Sequence, residues 1–143
     1  MKFLIIESPY YKKICDALTE GATAYLEEQG VNFERIQVPG ALEIPGAIKI
    51  AHETTKKYYD GYIALGCVIR GETSHYDIVC HESAAGLSRL TLDHNLAIGN
   101  GILTCDTMDL ALVRALPDQK YKGKDAAYAA LSLARYKKEL HVQ

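Results

Sequence analysis

Short apolar runs alternate with longer amphipathic stretches along the chain. Phe3-Leu4-Ile5-Ile6 is the first apolar run and reads as a strand. Behind it Ile14, Leu18, Ala22, Tyr25 and Leu26 recur at helical spacing until Gly30 stops the helix. Phe33, Ile36 and Val38 lie in a more polar strand suited to a sheet edge, and Pro39-Gly40 turns the chain into a helix from about Pro45 to Thr55. Tyr62 to Leu65 and Cys67 to Ile69 make a nearly continuous apolar run, the pattern of a strand buried on both faces. Ser74 starts the next helix, with Asp77 spaced for a capping box and a small-residue band at Ser83-Ala84-Ala85-Gly86. Ala97 to Thr104 supplies a fourth strand, broken by Gly99 and Gly101. Met108 to Ala115 and Gly123 to Leu140 close the chain as helices around Pro117.

Four strand-helix units predict a parallel sheet with helices on both faces: a flavodoxin-like three-layer α/β/α sandwich, its four strands in the order 2-1-3-4. The 143 residues fit one domain, with no linker, repeat or low-complexity tract to divide residues 1–143. In such sheets ligands bind beyond the carboxyl ends of the strands, near the point where the strand order reverses, here between the first and third strands. That singles out three loops: 8–11, 39–43 and 70–75.

Charge and cysteine usage narrow the partners. Sixteen Lys and Arg against eighteen Asp and Glu leave a net charge of -2, without the basic excess that phosphate backbones demand, so no nucleic acid is expected. No stretch reaches the ~20 apolar residues of a membrane span, and Phe3 to Ile6 is too short for a signal-peptide core. Cys15, Cys67, Cys80 and Cys105 form no C-x-x-C pair and no zinc-finger spacing, which predicts reduced thiols, a cytoplasmic location and no metal site.

The third loop is the richest. Gly71 frees the backbone to approach a ligand, and Glu72-Thr73-Ser74 bring amide N–H groups to a helix N-terminus, where anions bind; a plain turn with an N-cap serine accounts for the same residues. The segment is neither G-x-G-x-x-G nor G-x-x-x-x-G-K-[ST], so no dinucleotide or nucleoside triphosphate is signalled. His75 in the first helical turn is placed for general-base work or is an ordinary surface histidine. His81, six residues on, shares no obvious tetrahedral site with it, His52, His94 and His141 read as surface positions, and Cys67 reads as a buried structural thiol. Glu43 either meets a ligand hydroxyl or starts a helix, and Tyr10 and Tyr11 are able to stack on a planar heterocycle.

Three segments, Val38-Pro39-Gly40-Ala41-Leu42-Glu43-Ile44-Pro45, Gly66-Cys67-Val68-Ile69-Arg70-Gly71-Glu72-Thr73-Ser74-His75-Tyr76-Asp77 and Gly101-Ile102-Leu103-Thr104, together resemble the lumazine synthases of riboflavin biosynthesis, in order and over nearly the whole chain. The resemblance implies condensation of 5-amino-6-(D-ribitylamino)uracil with 3,4-dihydroxy-2-butanone 4-phosphate to 6,7-dimethyl-8-ribityllumazine, with no metal or organic cofactor. It assigns the stacking aromatic to Tyr10, the ribityl chain and ring to Ala41, Leu42 and Glu43, and the pocket lining to Val68 and Ile69. It assigns the phosphate cradle to Gly71, Glu72 and Thr73, phosphate binding also to Arg114, and proton transfer to His75. Asn100 and Lys122 are further substrate-binding positions.

This sequence departs from the commoner pattern at Leu42, where an aromatic is frequent, at Asn100, where phenylalanine is, and at Tyr11 and Tyr121, where asparagine is usual. The resemblance also implies a homo-oligomer, a pentamer with Asn100, Arg114 and Lys122 facing a neighbour's Tyr10, Glu43 and His75. Starting the first strand at about Phe3 leaves no long N-terminal arm, which argues against a sixty-subunit shell. A non-catalytic flavin- or lumazine-binding protein on the same scaffold is the alternative; it has no use for His75, Arg114 and Lys122 together.

Overall fold

The computed structural model describes residues 1–54 and 57–142. Their element order is β1 (Lys2–Glu7), α1 (Lys12–Glu28), β2 (Asn32–Gln37), a 3-10 turn (Ala41–Glu43), α2 (Ile44–Glu53), β3 (Gly61–Ile69), α3 (His75–His94), β4 (Ile98–Cys105), α4 (Met108–Ala115) and α5 (Lys122–Glu139). The sheet is parallel throughout, in the order β2-β1-β3-β4. This is the expected α/β arrangement.

Alternation along the strands builds two cores. Phe3, Ile5, Ile63, Leu65, Leu103 and Cys105 face α1, α4 and α5. Leu4, Ile6, Tyr62, Ala64, Ile98 and Ile102 face α2 and α3. β1 and β3 are therefore apolar at nearly every position, while the polar β2 lies at the edge with most of its side chains in water.

Local chemistry explains most of the boundaries. Gly30 ends α1 in the left-handed region at φ 70°, and Asn95 does the same after α3 at φ 55°. Pro45 occupies the first turn of α2, where its missing N–H costs nothing. Thr107 caps α4, its Oγ1 accepting from the Leu110 N–H at 3.2 Å. The expected end of α2 near Thr55 lies outside the described residues; helix geometry stops at Glu53.

Two local expectations are corrected, and a third feature finds its neighbour within the chain. β4 is not broken at Gly99 and Gly101, which pair in register with Ile63 and Leu65. The glycines instead admit α5, because a Cβ at Gly99 would overlap the carbonyl of Ala126. The small-residue band of α3 receives a neighbour from its own chain: a Cβ at Gly86 would lie 2.9 Å from Pro45 of α2. The capping box does not form, since the Ser74 side chain makes no cap hydrogen bond. Thr73 Oγ1 accepts the His75 N–H instead, at 3.2 Å, and the Asp77 carboxylate turns to Arg70, 3.5 Å away.

Candidate functional site

At the carboxyl ends of β1 and β3 the three loops singled out by the topology enclose a cleft of about 550 Å³. The β1 loop supplies Ser8, Tyr10 and Tyr11; the segment after β2 supplies Pro39 to Glu43; β3 and the turn beyond it supply Cys67, Val68, Ile69, Gly71, Thr73 and His75. Nine of the sequence-predicted positions thus share one wall system: Tyr10, Ala41, Leu42, Glu43, Val68, Ile69, Gly71, Thr73 and His75.

The wall divides into an apolar and a polar part. Tyr10 is 77% exposed and meets Tyr11 edge to face, ring centroids 4.9 Å apart at 73°, so one of its faces is free for a flat ligand. Tyr11 is half-buried, and burial together with Tyr10 pushes its phenol above the usual range. Leu42, 40% exposed, gives an aliphatic surface on the neighbouring segment. Glu43 is exposed, with Oε1 folded close over Gly40, and donates its N–H to the Gly40 carbonyl at 3.1 Å. Among the described residues no cation pairs with its carboxylate, unlike the paired Glu34, Glu7 and Asp125 carboxylates.

On the polar side, the exposed turn 70–74 leads into the first residue of α3, His75, which is itself exposed. Gly71 has open space around its Cα, so packing does not explain the glycine there. α3 is twenty residues long and starts directly behind this turn.

Beneath the wall, burial pushes the Cys67 thiol up to about 12, which leaves it neutral and unreactive at physiological pH and fits a structural thiol. All four cysteines are free. Among the described residues no group of three or more His, Cys, Asp or Glu is placed to hold a metal ion.

Four predicted positions lie outside the cleft of this one chain. Glu72 is exposed on the turn and is not among the lining residues. Asn100 is on β4, exposed, its Oδ1 accepting the Ile102 N–H at 2.9 Å. Arg114 sits in the last turn of α4, donating to the Leu110 carbonyl at 3.0 Å, and Lys122 opens α5, 3.4 Å from Asp125.

The site also holds residues that the sequence reading passed over. Tyr76 and Val79 line the cleft at one and four positions beyond His75, a helical spacing that a search for partners of His75 would have found. Ser8 lines it as well, and beside it Glu7 is 2% exposed yet ionisable. Its carboxylate accepts from Thr19 Oγ1 at 3.0 Å and from Arg35 Nε and Nη2 at 2.6 and 2.9 Å, anchoring the root of the Tyr10 loop.

Comparison with known proteins identifies the family. A family model described as 6,7-dimethyl-8-ribityllumazine synthase matches residues 1–138. The chain is similar to proteins of that name from Zymomonas mobilis, 54% identical over 97% of this chain and 98% of the relative, and from Novosphingobium aromaticivorans, 56% identical over 92% and 93%. A third, from Bartonella henselae, is 51% identical over 94% of this chain and 87% of its own length.

Proposed function

Because the chain belongs to the 6,7-dimethyl-8-ribityllumazine synthase family, we propose that the cleft between its three loops is the condensation site. The protein is a transferase of riboflavin biosynthesis, joining 5-amino-6-(D-ribitylamino)uracil to 3,4-dihydroxy-2-butanone 4-phosphate with loss of phosphate and water. The family match favours this over a non-catalytic flavin-binding protein. The observation that carries the site assignment is the meeting of Tyr10 and Glu43 with Gly71, Thr73 and His75 around one cleft: a ring-and-hydroxyl half and an anion-and-proton half, side by side.

In this reading the pyrimidine stacks on the free face of Tyr10, Glu43 accepts from ribityl hydroxyls along Ala41 and Leu42, and Val68 and Ile69 close the floor. The phosphate lies on the backbone of Gly71, Glu72 and Thr73. The amine attacks the ketone carbonyl, water leaves to give an imine, phosphate is eliminated, and ring closure with a second dehydration completes the lumazine. His75 takes and returns protons, contributing about 10²- to 10⁴-fold. Holding two substrates in register supplies much of the rest. No metal or organic cofactor takes part.

The chain acts as one domain over residues 1–143. Its active unit is a homopentamer in which the neighbour brings Arg114, Asn100 and Lys122 to the open side of the cleft, where Arg114 holds the phosphate through a planar, permanently charged fork. The placement of these three side chains outside the cleft of their own chain supports a shared site. Free thiols at all four cysteines support a cytoplasmic location, and among the described residues no helix is long and apolar enough to cross a membrane. Incubation of purified protein with both substrates tests the function: fluorescent lumazine and one equivalent of phosphate should appear together. Lack of both would refute it.

A further inference from the structure

The turn that carries the proposed phosphate cradle is held by a cation outside the cleft. Arg70 follows the last residue of β3, and its backbone N–H donates to the Cys105 carbonyl at 3.0 Å, extending the β3–β4 ladder by one rung. Arg70 is not among the residues that line the cleft. Nε donates to Asp106 Oδ1 at 2.8 Å, Nη1 reaches Asp77 Oδ1 at 3.5 Å, and the guanidinium lies over the Tyr76 ring, 4.3 Å from its centroid.

Tyr76 and Asp77 are the two residues after His75. One side chain therefore joins the end of β3, the end of β4 and the first turn of α3. Residues 71–74 between these points are exposed, and a Cβ at Gly71 would touch nothing. The His75 N–H to Thr73 Oγ1 bond and the Asp77 N–H to Ser74 carbonyl bond, at 3.1 Å, shape the turn from within; neither fixes it to the sheet. Arg70 does so from both ends, through the chain on one side and through Tyr76 and Asp77 on the other.

Exposed ion pairs taken singly add little stability. A planar fork that bonds two carboxylates and stacks on a ring, however, fixes an orientation that a flexible ammonium does not. Resting on the site assignment above, we propose that Arg70 is a positioning residue. It sets the register between the 71–73 backbone and His75, so that the phosphate cradle and the proton-transfer imidazole are presented to one substrate together. Among the described residues no hydrogen bond or ion pair joins the ring-binding loops, 8–11 and 39–43, to the Arg70 guanidinium and its two carboxylates.

Steady-state kinetics with each substrate varied separately tests this, using Arg70→Met, Arg70→Lys, Asp106→Asn and the Arg70→Met/Asp106→Asn double variant. In Arg70→Met, kcat should fall and the KM for the butanone phosphate rise, lowering kcat/KM for that substrate about 100-fold, as for a small misplacement of reacting groups. The KM for the ribitylaminouracil and the melting temperature should stay near wild type. Arg70→Lys should recover part of the loss, and the double variant should be no worse than Arg70→Met, because the two residues act as one unit. If Arg70→Met fails to fold, Asp106→Asn, altered at an exposed carboxylate, carries the same expectation. Unchanged kinetics, or equal rises in both KM values with a lowered melting temperature, would overturn the positioning role while leaving the condensation site intact. A wild-type protein that forms no lumazine would overturn the site reading and this inference with it.

Discussion

Replacing Arg35 by Met should destabilise the protein out of proportion to Arg35's own half-exposed position. The reason lies in its partner. Glu7 ends β1 with its side chain 3% exposed, and two of its three donors come from the Arg35 guanidinium, itself 48% exposed. Without Arg35 a carboxylate remains in the core margin with only the Thr19 hydroxyl. Breaking a fully buried pair on one side costs about 3–5 kcal/mol. The solvent access left by Arg35 lets water repair part of this, so about 2–3 kcal/mol is expected here.

With an unfolding entropy of about 2.1 cal/mol/K per residue, that corresponds to a melting temperature lower by roughly 8 °C. Glu7→Gln should cost less, about 1–2 kcal/mol, because the stranded cation reaches water. The double variant Glu7→Gln/Arg35→Met should be more stable than Arg35→Met alone, since no buried charge is left. Thermal and urea unfolding at one fixed protein concentration measures all four proteins. A melting temperature for Arg35→Met within about 2 °C of wild type, or a double variant whose loss equals the sum of the singles, would show that Glu7 is not held as a buried ion.

Further expectations concern catalysis, packing, pH and metal. His75→Ala should lower kcat and Arg114→Ala should chiefly raise the KM for the phosphorylated substrate; mixing the two after co-refolding should restore about one quarter of wild-type sites if neighbours in a ring share them, and no restoration would place each site within one chain. Gly99→Ala should cost about 3 kcal/mol or more because the methyl group meets the Ala126 backbone, whereas Gly71→Ala, in open space, should leave stability unchanged by urea titration. Glu34, which accepts from Tyr59 at 2.5 Å and from Lys2 and Lys57, is drawn down to about 2, the Tyr59 hydrogen bond being the largest cause. Its stabilisation is complete above the ordinary carboxylate range and lost as pH falls toward 2, so wild type and Glu34→Gln should differ in stability at neutral pH and converge in acid. Protein dialysed against EDTA should keep its lumazine-forming rate; loss restored by zinc or magnesium would refute metal-free proton transfer.

The fold was legible because its sheet buries both faces of the central strands. Tyr62 to Ile69 carries apolar residues in an unbroken row, and only a strand covered on both sides requires that. Boundaries set by a single residue type, such as Gly30 and Pro45, were equally plain. The misreading at Gly99 and the unassigned neighbour of Gly86 share a cause. A glycine breaks a strand or admits a neighbour depending on what lies above it, and the Ala126 carbonyl and the Pro45 ring are brought there by chain 27 and 41 residues away in sequence, beyond any local pattern. Tyr121 shows the reverse. It adopts the left-handed region at φ 48°, which asparagine enters more readily, so its place in the chain carries a backbone cost that the Tyr121 ring offsets by packing against Gly21.

The candidate site divides along the same line. Its loops were found because strand order alone places them together, and its named side chains because the resemblance assigned them. The ties that hold those side chains were not found, although part of them was derivable. Ile69 of β3 pairs with Cys105 of β4, so the residues that follow each, Arg70 and Asp106, are neighbours across the sheet once the register is known. A cation and a carboxylate leaving adjacent parallel strands at the same level must either pair or repel other charges there. Strand order predicted from sequence lacks that register, because a shift of two residues preserves which side chains face each core. What fixes it here is the backbone itself, the Arg70 N–H on the Cys105 carbonyl, and only at that resolution does the turn bearing His75 become a built element instead of a loose connection.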